Sequence, residues 1–576
     1  MTFRVPVLYV RIRRLSPKTE KYYINAKPLS ALMSASRPES DQGDLAKKVF
    51  VRRASGLIRG LSWQDLFSCN MNGLAPTAMV AALYIVVPAL FPGADIVTAY
   101  ILILPIALCY SISYGILGAC MPRSGGDYVF GSRIVHPVWG LMGSMMYFVG
   151  QIVLLGTLPI FAFTYLLPTP LEVAFPGNLM VLGFANWISV PLNQVLLGTV
   201  VIALGTAIPI FGLRIWKVWN WVMFFLGMAG AVTFLAVVGF SNHSQFVQGF
   251  NNYSAQYGTS YQGIFQLAKS NGWVLTAFAI GPTLIAMQYT TLYITTAWPV
   301  YIGGEAKEGR KSLPLAIVSS IIVAWLIAIL SQVLFYRVVP YDFSNAIGYL
   351  AYQTPSAYPL PHAPEMYVLG NMIYANPITT LLVGFSIFIW TLSWLFNMNV
   401  WNSRMIFAWA FDRIFPKSLA QVHPKFHTPA RALIVVGICG VLFLILAAYT
   451  SILTFMINSA LLVNLAFIPA GFACALLPFR RKDIWEKGPS WTRFKLGPLP
   501  LATLVGLVQG VGLTVLAVSL FVNPAATGAP INIYTVVGIA LIYGVLCFGL
   551  YYGMRWYHLK KEGIDVAWAF QELPPE

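Results

Sequence analysis

Two long apolar stretches of this chain are interrupted by glycine, proline and small polar residues where a membrane helix would be continuous. The first reads Ser68-Cys69-Asn70-Met71-Asn72-Gly73-Leu74-Ala75-Pro76, and the second reads Ala277-Phe278-Ala279-Ile280-Gly281-Pro282-Thr283. Proline removes a backbone donor and glycine weakens a helix, so we expect both helices to break here. The free N–H groups of a half-helix bind a carboxylate, and unwound carbonyl groups bind an ammonium group or a sodium ion. The pattern therefore predicts a site for a zwitterion that is built largely from backbone.

Charged side chains contribute little to such a site. Each of the 19 Asp and Glu residues falls in a tail, a loop or the end of an apolar span, and Asp65 is expected at the cytoplasmic mouth of the first span. A buried carboxylate that relays protons is therefore not expected. All six His residues lie in loops or tails, and the six Cys residues are spaced as packing residues. Because these residues suggest neither a hydrolytic dyad nor a metal-binding cluster within the spans, we expect neither an enzyme nor a metal centre.

The elements that must position this site are apolar helices. Hydrophobic residues make up 58% of the chain and charged residues 10%, far from the roughly 25% charged residues of soluble domains. Runs of about 20 apolar residues match the hydrocarbon thickness and predict transmembrane helices. The sequence thus predicts an all-α polytopic membrane protein with about twelve spans, at 62–91, 96–121, 138–167, 190–212, 216–240, 273–300, 314–338, 376–407, 431–449, 452–478, 499–522 and 533–556.

The basic residues predict how these spans are oriented. Of the 36 Lys and Arg residues, all but Lys269 and Arg337 fall on the side shared by both termini. Cytoplasmic loops carry an excess of Lys and Arg, so both ends of the chain are expected in the cytoplasm of a multi-pass cell-membrane protein. The net charge of +17 is then a topology signal, and nucleic-acid binding is not expected.

The two interrupted stretches lie in the first and the sixth span, at corresponding places in two sets of five. An odd number of spans inverts the second set in the membrane, which is the arrangement of transporters built from inverted repeats. The predicted organisation is a cytoplasmic tail at 1–61, a five-helix repeat at 62–240, an inverted repeat at 273–478, a cytoplasmic loop at 479–498, two further helices at 499–556 and a cytoplasmic tail at 557–576. Residues 1–45 are an open case, since an upstream misassigned start codon would also explain them.

Four stretches on the predicted cytoplasmic side resemble the amino acid–polyamine–organocation (APC) superfamily, in particular its archaeal and bacterial amino acid permeases. They are Met121-Pro122-Arg123-Ser124-Gly125-Gly126-Asp127-Tyr128, Glu305-Ala306-Lys307-Glu308-Gly309-Arg310-Lys311-Ser312-Leu313-Pro314, Ser403-Arg404-Met405-Ile406-Phe407-Ala408 with Asp412-Arg413-Ile414-Phe415-Pro416, and His423-Pro424-Lys425-Phe426 with Thr428-Pro429-Ala430. Their order along the chain makes the resemblance specific. It implies a five-plus-five inverted-repeat core of the LeuT-like kind.

The resemblance also implies site residues. Backbone around Asn70, Met71, Asn72 and Gly73 would hold the carboxylate and amine of an amino acid, and backbone around Ala279, Ile280 and Gly281 would complete the amine site. Phe278 would lie over the substrate, or would simply face lipid or the core. Arg123, Glu305, Arg404 and Asp412 would form ion pairs of an inner gate, or would be solvated loop charges.

The coupling ion stays open between sodium and protons. Thr391 and Ser393 in the eighth span are candidate sodium ligands, although such hydroxyls mostly bond within their own helix. Proton-coupled relatives often carry a lysine midway along the fifth helix, whereas Lys217 lies at its inner end.

The function predicted from these observations is a secondary active transporter of an amino acid or a related amine. A neutral or weakly polar amino acid fits best, because no midplane carboxylate is available to pair a cationic side chain. An amino-acid exchanger and a transporter-like nutrient receptor are the alternatives. Membrane lipid is an expected partner, and spans eleven and twelve could support a homo-oligomer.

Overall fold

The computed structural model describes residues 56–80, 83–294, 296–450, 454–522 and 533–574, all within one unit, Val49–Glu576. These residues are almost entirely helical, apart from two short strands, Lys495–Leu496 and Leu499–Pro500, which pair antiparallel. The predicted all-α class is confirmed. Among the described helices, eight are long and apolar enough to cross a membrane singly, and the bent first span makes a ninth.

Helix occupies part of each of the twelve predicted spans, which keep their numbers below. The first five are Trp63–Leu74 with Pro76–Val80 and Leu83–Leu90, Ile96–Cys120, Pro137–Phe161 continued by Ala162–Leu166 and Pro168–Ala174, Pro191–Ile210, and Leu213–Phe240. The next five are Ile280–Ile294, Gly309–Val338, Pro377–Phe411, Ala430–Tyr449 and Thr454–Arg480, and the last two are Leu501–Val522 and Ile533–Glu562.

Local sequence sets where several spans begin. Ser62 and Asp65 form a capping box at the start of span 1, in which the Ser62 hydroxyl accepts from the Asp65 N–H and the Asp65 carboxylate accepts from the Ser62 N–H. Asp95 caps span 2, and Asn376 caps span 8 ahead of Pro377 in the first turn.

The packing of the spans follows an inverted repeat of five. Span 2 lies along span 7, span 3 along span 8, and span 4 along span 9. Contacts between unlike spans also come in matched pairs: span 1 packs on span 7 as span 6 packs on span 2, and span 5 packs on span 8 as span 10 packs on span 3. When five is added to or subtracted from both span numbers of one of these contacts, the result is another observed contact. Span 11 packs on spans 10 and 2, and span 12 packs on span 3.

The ends of the spans define two faces. We call the face that carries residues 56–62 and 563–574 the terminal face. Its short helices are Asp127–Ile134, Trp298–Tyr301, Gly303–Glu305, Lys417–Ala420, Lys482–Glu486, Ser490–Arg493 and Val566–Phe570. We call the other the opposite face, and its short helices are Leu179–Ile188, His243–Ser254, Ala255–Tyr257, Tyr261–Ser270, Tyr341–Tyr352, Pro355–Ala357 and Met366–Ile373.

Candidate functional site

The first span breaks slightly later than the sequence suggests. Asn70, Met71, Asn72 and Gly73 were expected to be unwound, but they are helical and fully buried, and the helix ends at Leu74. The break is at Ala75, which has a positive φ of 41°, uncommon for a residue with a Cβ. Pro76 then begins the next helix, where its missing N–H leaves no bond unmade. Beyond it, the span bends by 58°.

The sixth span is not broken where the sequence suggests. Phe278, Ala279, Ile280 and Gly281 lie at its opposite-face end, where the Phe278 side chain is 61% exposed. The Ala279 N–H donates to the carbonyl of Gly93, at the end of span 1 on the same face. Helix begins at Ile280, so Pro282 sits in the first turn, where an N–H has no helical partner to lose. The predicted grouping of these four residues with Asn70–Gly73 is therefore wrong.

The actual break in span 6 lies farther along, after Ile294. Residues 296 and 297 are outside any helix, and the chain resumes as two tight turns, Trp298–Tyr301 and Gly303–Glu305. We call 298–305 the terminal half of span 6. Thr296 and Ala297, followed by Pro299, are the local signal that the sequence reading missed.

Asn70 joins the two broken spans. Its Nδ2 donates to the Thr296 carbonyl at 2.9 Å and to the Ser320 hydroxyl of span 7 at 2.7 Å. Its Oδ1 accepts from the Trp298 N–H at 3.1 Å. One buried amide thus bonds backbone groups on both sides of the break in span 6. Backbone groups that lose their helical partners inside a membrane protein need such replacement bonds. The side chain of Asn70 is engaged with protein in this arrangement.

Trp298 fills the space beneath the two breaks. A Cβ on Gly73 would lie 2.1 Å from its ring, so only glycine allows the approach. The indole Nε1 donates to the Tyr147 hydroxyl at 2.9 Å, and the ring packs on Trp401 with centroids 3.7 Å apart. Gly73 therefore admits an aromatic side chain of span 6 in this arrangement.

A buried amide cluster connects spans 1, 5 and 8. Asn72 Nδ2 donates to the side chain and backbone oxygens of Asn220, Asn220 Nδ2 donates to the Ser68 hydroxyl, and Asn397 Nδ2 donates to Asn220 and to Ser393. Ser393, a predicted sodium ligand, belongs to this cluster. Thr391 bonds back to the Ile387 carbonyl of its own helix.

The predicted inner-gate residues lie on the terminal face, where Glu305, Arg404 and Asp412 are buried and Arg123 is half-buried. Arg404 Nε and Nη2 donate to the two Glu305 carboxylate oxygens at 2.7 and 3.2 Å, and both side chains have no exposed surface. Asp412 pairs with Arg133, which sequence reasoning did not select, at 2.6 Å. Arg123 donates to the carbonyl of Pro574 in the C-terminal segment. The four predicted residues thus divide among three contacts.

The C-terminal segment packs against the Arg133–Asp412 pair through Arg133. After Gly563 the chain turns back, and Val566, Ala569 and Phe570 are buried against the terminal face. The Phe570 ring lies 5.0 Å from the Arg133 guanidinium. Arg481 joins the helix Asp127–Ile134 to the C-terminal segment by donating to the carbonyls of Arg133 and Gln571.

Asp127 is the buried charged group that the sequence reading missed. It lies in the loop between spans 2 and 3, yet it is 3% exposed and accepts hydrogen bonds from the hydroxyls of Tyr114 and Tyr301. Burial raises the pKa of Asp127 to about 6, although both tyrosine hydrogen bonds lower it. From its loop position no buried carboxylate was expected, and the burial of Asp127 contradicts that expectation. A signal was the preceding Gly125-Gly126, whose positive φ values of 111° and 51° let the backbone pack against Ala408 and the Tyr301 ring.

Asp65 lies where it was expected, in the first turn of span 1. It accepts from Trp221 Nε1 at 2.9 Å and pairs with Lys217 at 2.7 Å. Lys217 thus lies at the terminal-face end of span 5, where its partner is Asp65.

Comparison with known proteins identifies the family. A family model described as "Amino acid permease" matches residues 61–545 of the 576. The chain belongs to the amino acid permease family. The predicted membership of the APC superfamily is thereby confirmed.

Two of the known proteins that are similar to this permease bear on its fold and family. The glutamate/serine transporter AimA of Bacillus subtilis is 26% identical over 231 residues, which are 40% of each chain. The matched part therefore spans less than half of that relative. A crystal structure of MhsT in complex with L-phenylalanine superposes with a TM-score of 0.51 at 13% identity, covering 81% of this chain and 99% of MhsT. At that identity the likeness shows the fold, and it confirms the LeuT-like core.

Proposed function

We propose that this permease carries an amino acid across the cell membrane by alternating access, with the substrate held where spans 1 and 6 are broken. The observation that carries the proposal is that span 1 contacts the break of span 6 at residues 296–297 just ahead of its own break at Ala75, through the buried Asn70 side chain and through Gly73 against Trp298. Two broken spans at corresponding positions of an inverted repeat mark the binding site in transporters of this architecture. Family membership and the name of the partial relative support the amino acid as substrate.

The polar groups around the breaks favour a neutral or weakly polar amino acid. Asn70, Thr77, Thr296 and Ser320 are uncharged. Trp390 Nε1 donates to the Thr77 hydroxyl just beyond Ala75. The charged Glu305, paired with Arg404, lies farther along the chain than Trp298, at the end of the terminal half of span 6. A cationic side chain at the breaks would lack a carboxylate among the described residues, and an unpaired buried charge is strongly unfavourable.

We also propose that the terminal face is cytoplasmic. Arg123, Arg133, Arg404, Arg413 and Arg481 all meet there, as the charge bias predicts. On the opposite face, Arg337 donates to the carbonyls of Val238, Gly239 and Ser241, so it caps the end of span 5.

The test is uptake of a panel of radiolabelled amino acids into proteoliposomes, with a sodium gradient, a proton gradient, or internal amino acid. We expect accumulation of neutral amino acids under one of the first two conditions. Uptake only with internal amino acid would mean an exchanger, and tight binding without uptake would mean a receptor. Absence of both binding and uptake for every amino acid would contradict the proposal.

A matched pair of variants locates the site. Asn70→Ala removes the amide that joins span 1 to the break of span 6, so we expect transport to fall by about tenfold or more, since three buried hydrogen bonds of roughly 1 kcal/mol each are lost. Asn186→Ala changes an exposed asparagine on the opposite face and should leave uptake unchanged. Equal uptake by both variants at equal amounts of folded protein would contradict the assigned site.

A further inference from the structure

Asp127 is a buried carboxyl group with no cation beside it. Among the described residues, no Lys or Arg lies within ion-pair distance of it, and the two groups that bind it are phenols. The neighbouring charges are already used, because Arg133 pairs with Asp412 and Arg404 pairs with Glu305. A buried carboxylate without a positive partner is destabilised relative to its neutral form.

Its two partners belong to different parts of the molecule. Tyr114 lies near the terminal end of span 2, and Tyr301 lies in the terminal half of span 6. The backbone around Asp127 follows Tyr301 closely, since the Gly125 N–H donates to the Tyr301 carbonyl and a Cβ on Gly126 would lie 2.6 Å from the Tyr301 ring. Asp127 therefore links the terminal half of span 6 to the loop and to span 2.

The link continues to the break in span 6. The Tyr301 ring stacks on Tyr147, with centroids 5.0 Å apart and planes at 7°. The Tyr147 hydroxyl accepts from Trp298, whose N–H is held by Asn70. A displacement of the terminal half of span 6 that admits water would therefore break the contact of Tyr301 with Asp127.

We propose that Asp127 is a proton-binding site that ties closure of the terminal face to proton uptake, so that opening of the terminal half of span 6 releases a proton to the cytoplasm. The inference rests on the proposed function, which supplies the opening. In the closed arrangement the carboxyl is buried, and it is neutral when the pH is below about 6. In the open one water reaches it, and it ionises as an ordinary aspartate.

The direction of the pH effect follows from burial. The pKa of Asp127 is raised to about 6 in the closed arrangement by desolvation. At low pH the group is neutral and closure is stabilised, and that stabilisation is lost as the pH rises through about 6. The other titratable groups facing it are Tyr110 and Tyr114 of span 2, Tyr147 of span 3 and Tyr301. Phenols ionise near pH 10 in water, so none of them titrates in this range.

The experiment is amino acid exchange at matched pH on both sides of proteoliposomes, from about pH 5 to about pH 8. We expect wild-type exchange to slow by about tenfold or more as the pH falls through the Asp127 titration. Asp127→Asn keeps the shape but cannot ionise, so its profile should be flat. Glu486→Gln alters an exposed carboxylate on the same face and should keep the wild-type profile. A wild-type profile without titration, or an Asp127→Asn profile that still titrates, would overturn the proposal.

A second variant keeps the carboxyl group and changes its environment. Tyr114→Phe removes one donor to the carboxylate, which raises the pKa of Asp127 and should move the midpoint of exchange to higher pH. A purely structural role for Asp127 would lower the rate without moving the midpoint. An unchanged midpoint in folded Tyr114→Phe would therefore count against proton binding.

A readout without substrate separates this inference from the proposed function. Hydrogen–deuterium exchange of residues 298–305 in wild type and Asp127→Asn, compared at each pH, reports opening directly. We expect greater protection in the variant at about pH 8 and equal protection at about pH 5. If this holds while no amino acid is bound or exchanged, the proposed function fails and the proton site stands. Equal protection of wild type and Asp127→Asn at both pH values would contradict the proton site, even if the protein transports amino acids.

Discussion

The two faces of this permease are closed by different kinds of interaction. The terminal face is closed by charge: the pairs Arg404–Glu305 and Arg133–Asp412 are both almost completely removed from solvent. A buried pair is strongly unfavourable to break, because each partner is then left as an isolated charge in a medium of low polarity. Closure of this face should therefore respond to pH and to charge substitutions.

On the opposite face, the contacts that hold span 1 are neutral. The helix Tyr341–Tyr352 packs on Leu83–Leu90 of span 1, and side chains donate to carbonyls there, Tyr341 to Ala94 and Asn345 to Pro88. Tyr336 of span 7 donates to the Tyr84 carbonyl, which Pro88 leaves without its helical partner. Each neutral bond contributes only about 1 kcal/mol, so this face can open in small steps.

The difference suggests a division of labour. Opening of the terminal face requires several buried charges to be separated or solvated together, whereas release of span 1 on the opposite face exchanges neutral hydrogen bonds for bonds to water. We therefore expect substitutions on the two faces to differ in size and in pH dependence.

The largest effect is expected from Arg404→Ala. Removing the guanidinium leaves Glu305 buried without its partner, so we expect a loss of about 3–5 kcal/mol in the free energy of unfolding, visible as a lower Tm in detergent. The double variant Glu305→Leu/Arg404→Met removes both charges and should recover most of the stability. Arg404→Ala as stable as wild type would show that the pair does not hold this face together.

The next largest difference is expected between two glycine substitutions, one at the centre of the molecule and one at the opposite face. Gly73→Ala places a methyl group 2.1 Å from the Trp298 ring, so we expect both stability and uptake to fall strongly. Gly281→Ala meets nothing within 4 Å and lies in a helix, where alanine is favoured over glycine by about 1 kcal/mol, so uptake should be retained. Loss of uptake in folded Gly281→Ala would restore the predicted site at residues 278–281.

A moderate effect is expected from truncation after Glu562. The segment that contributes Phe570, Gln571 and Pro574 to the terminal face would be lost, while both ion pairs remain. Hydrogen–deuterium exchange of residues 122–134 should increase, and that of Tyr341–Tyr352 should stay the same. Unchanged protection at 122–134 would mean that the segment merely lies on this face.

The smallest effect is expected on the opposite face. Tyr341→Phe removes one half-buried hydrogen bond, so Tm should fall by an amount that corresponds to about 1 kcal/mol, and the fall should not depend on pH. Tyr374→Phe, on an exposed tyrosine of the same face, is the control. A loss comparable to that of Arg404→Ala would erase the proposed difference between the faces.

The sequence by itself determined the features that depend on local composition. Apolar runs of membrane length predict helices wherever they occur, and the alternation of these spans places Glu305, Arg404 and Asp412 on one face whatever their partners are. The four motifs on one side of the spans, in their order along the chain, were sufficient to predict the superfamily.

Tertiary structure alone decided which interruptions are breaks and which charges are buried. Pro282 looks the same in sequence whether it ends a helix or sits in a first turn, and only the start of helix at Ile280 distinguishes the two. Asp127 is a loop residue by hydropathy, but Tyr114 and Tyr301, 174 residues beyond it in the second case, enclose it. Hydropathy is a property of neighbours along the chain, whereas burial and the choice of a partner are set by segments that meet only after packing.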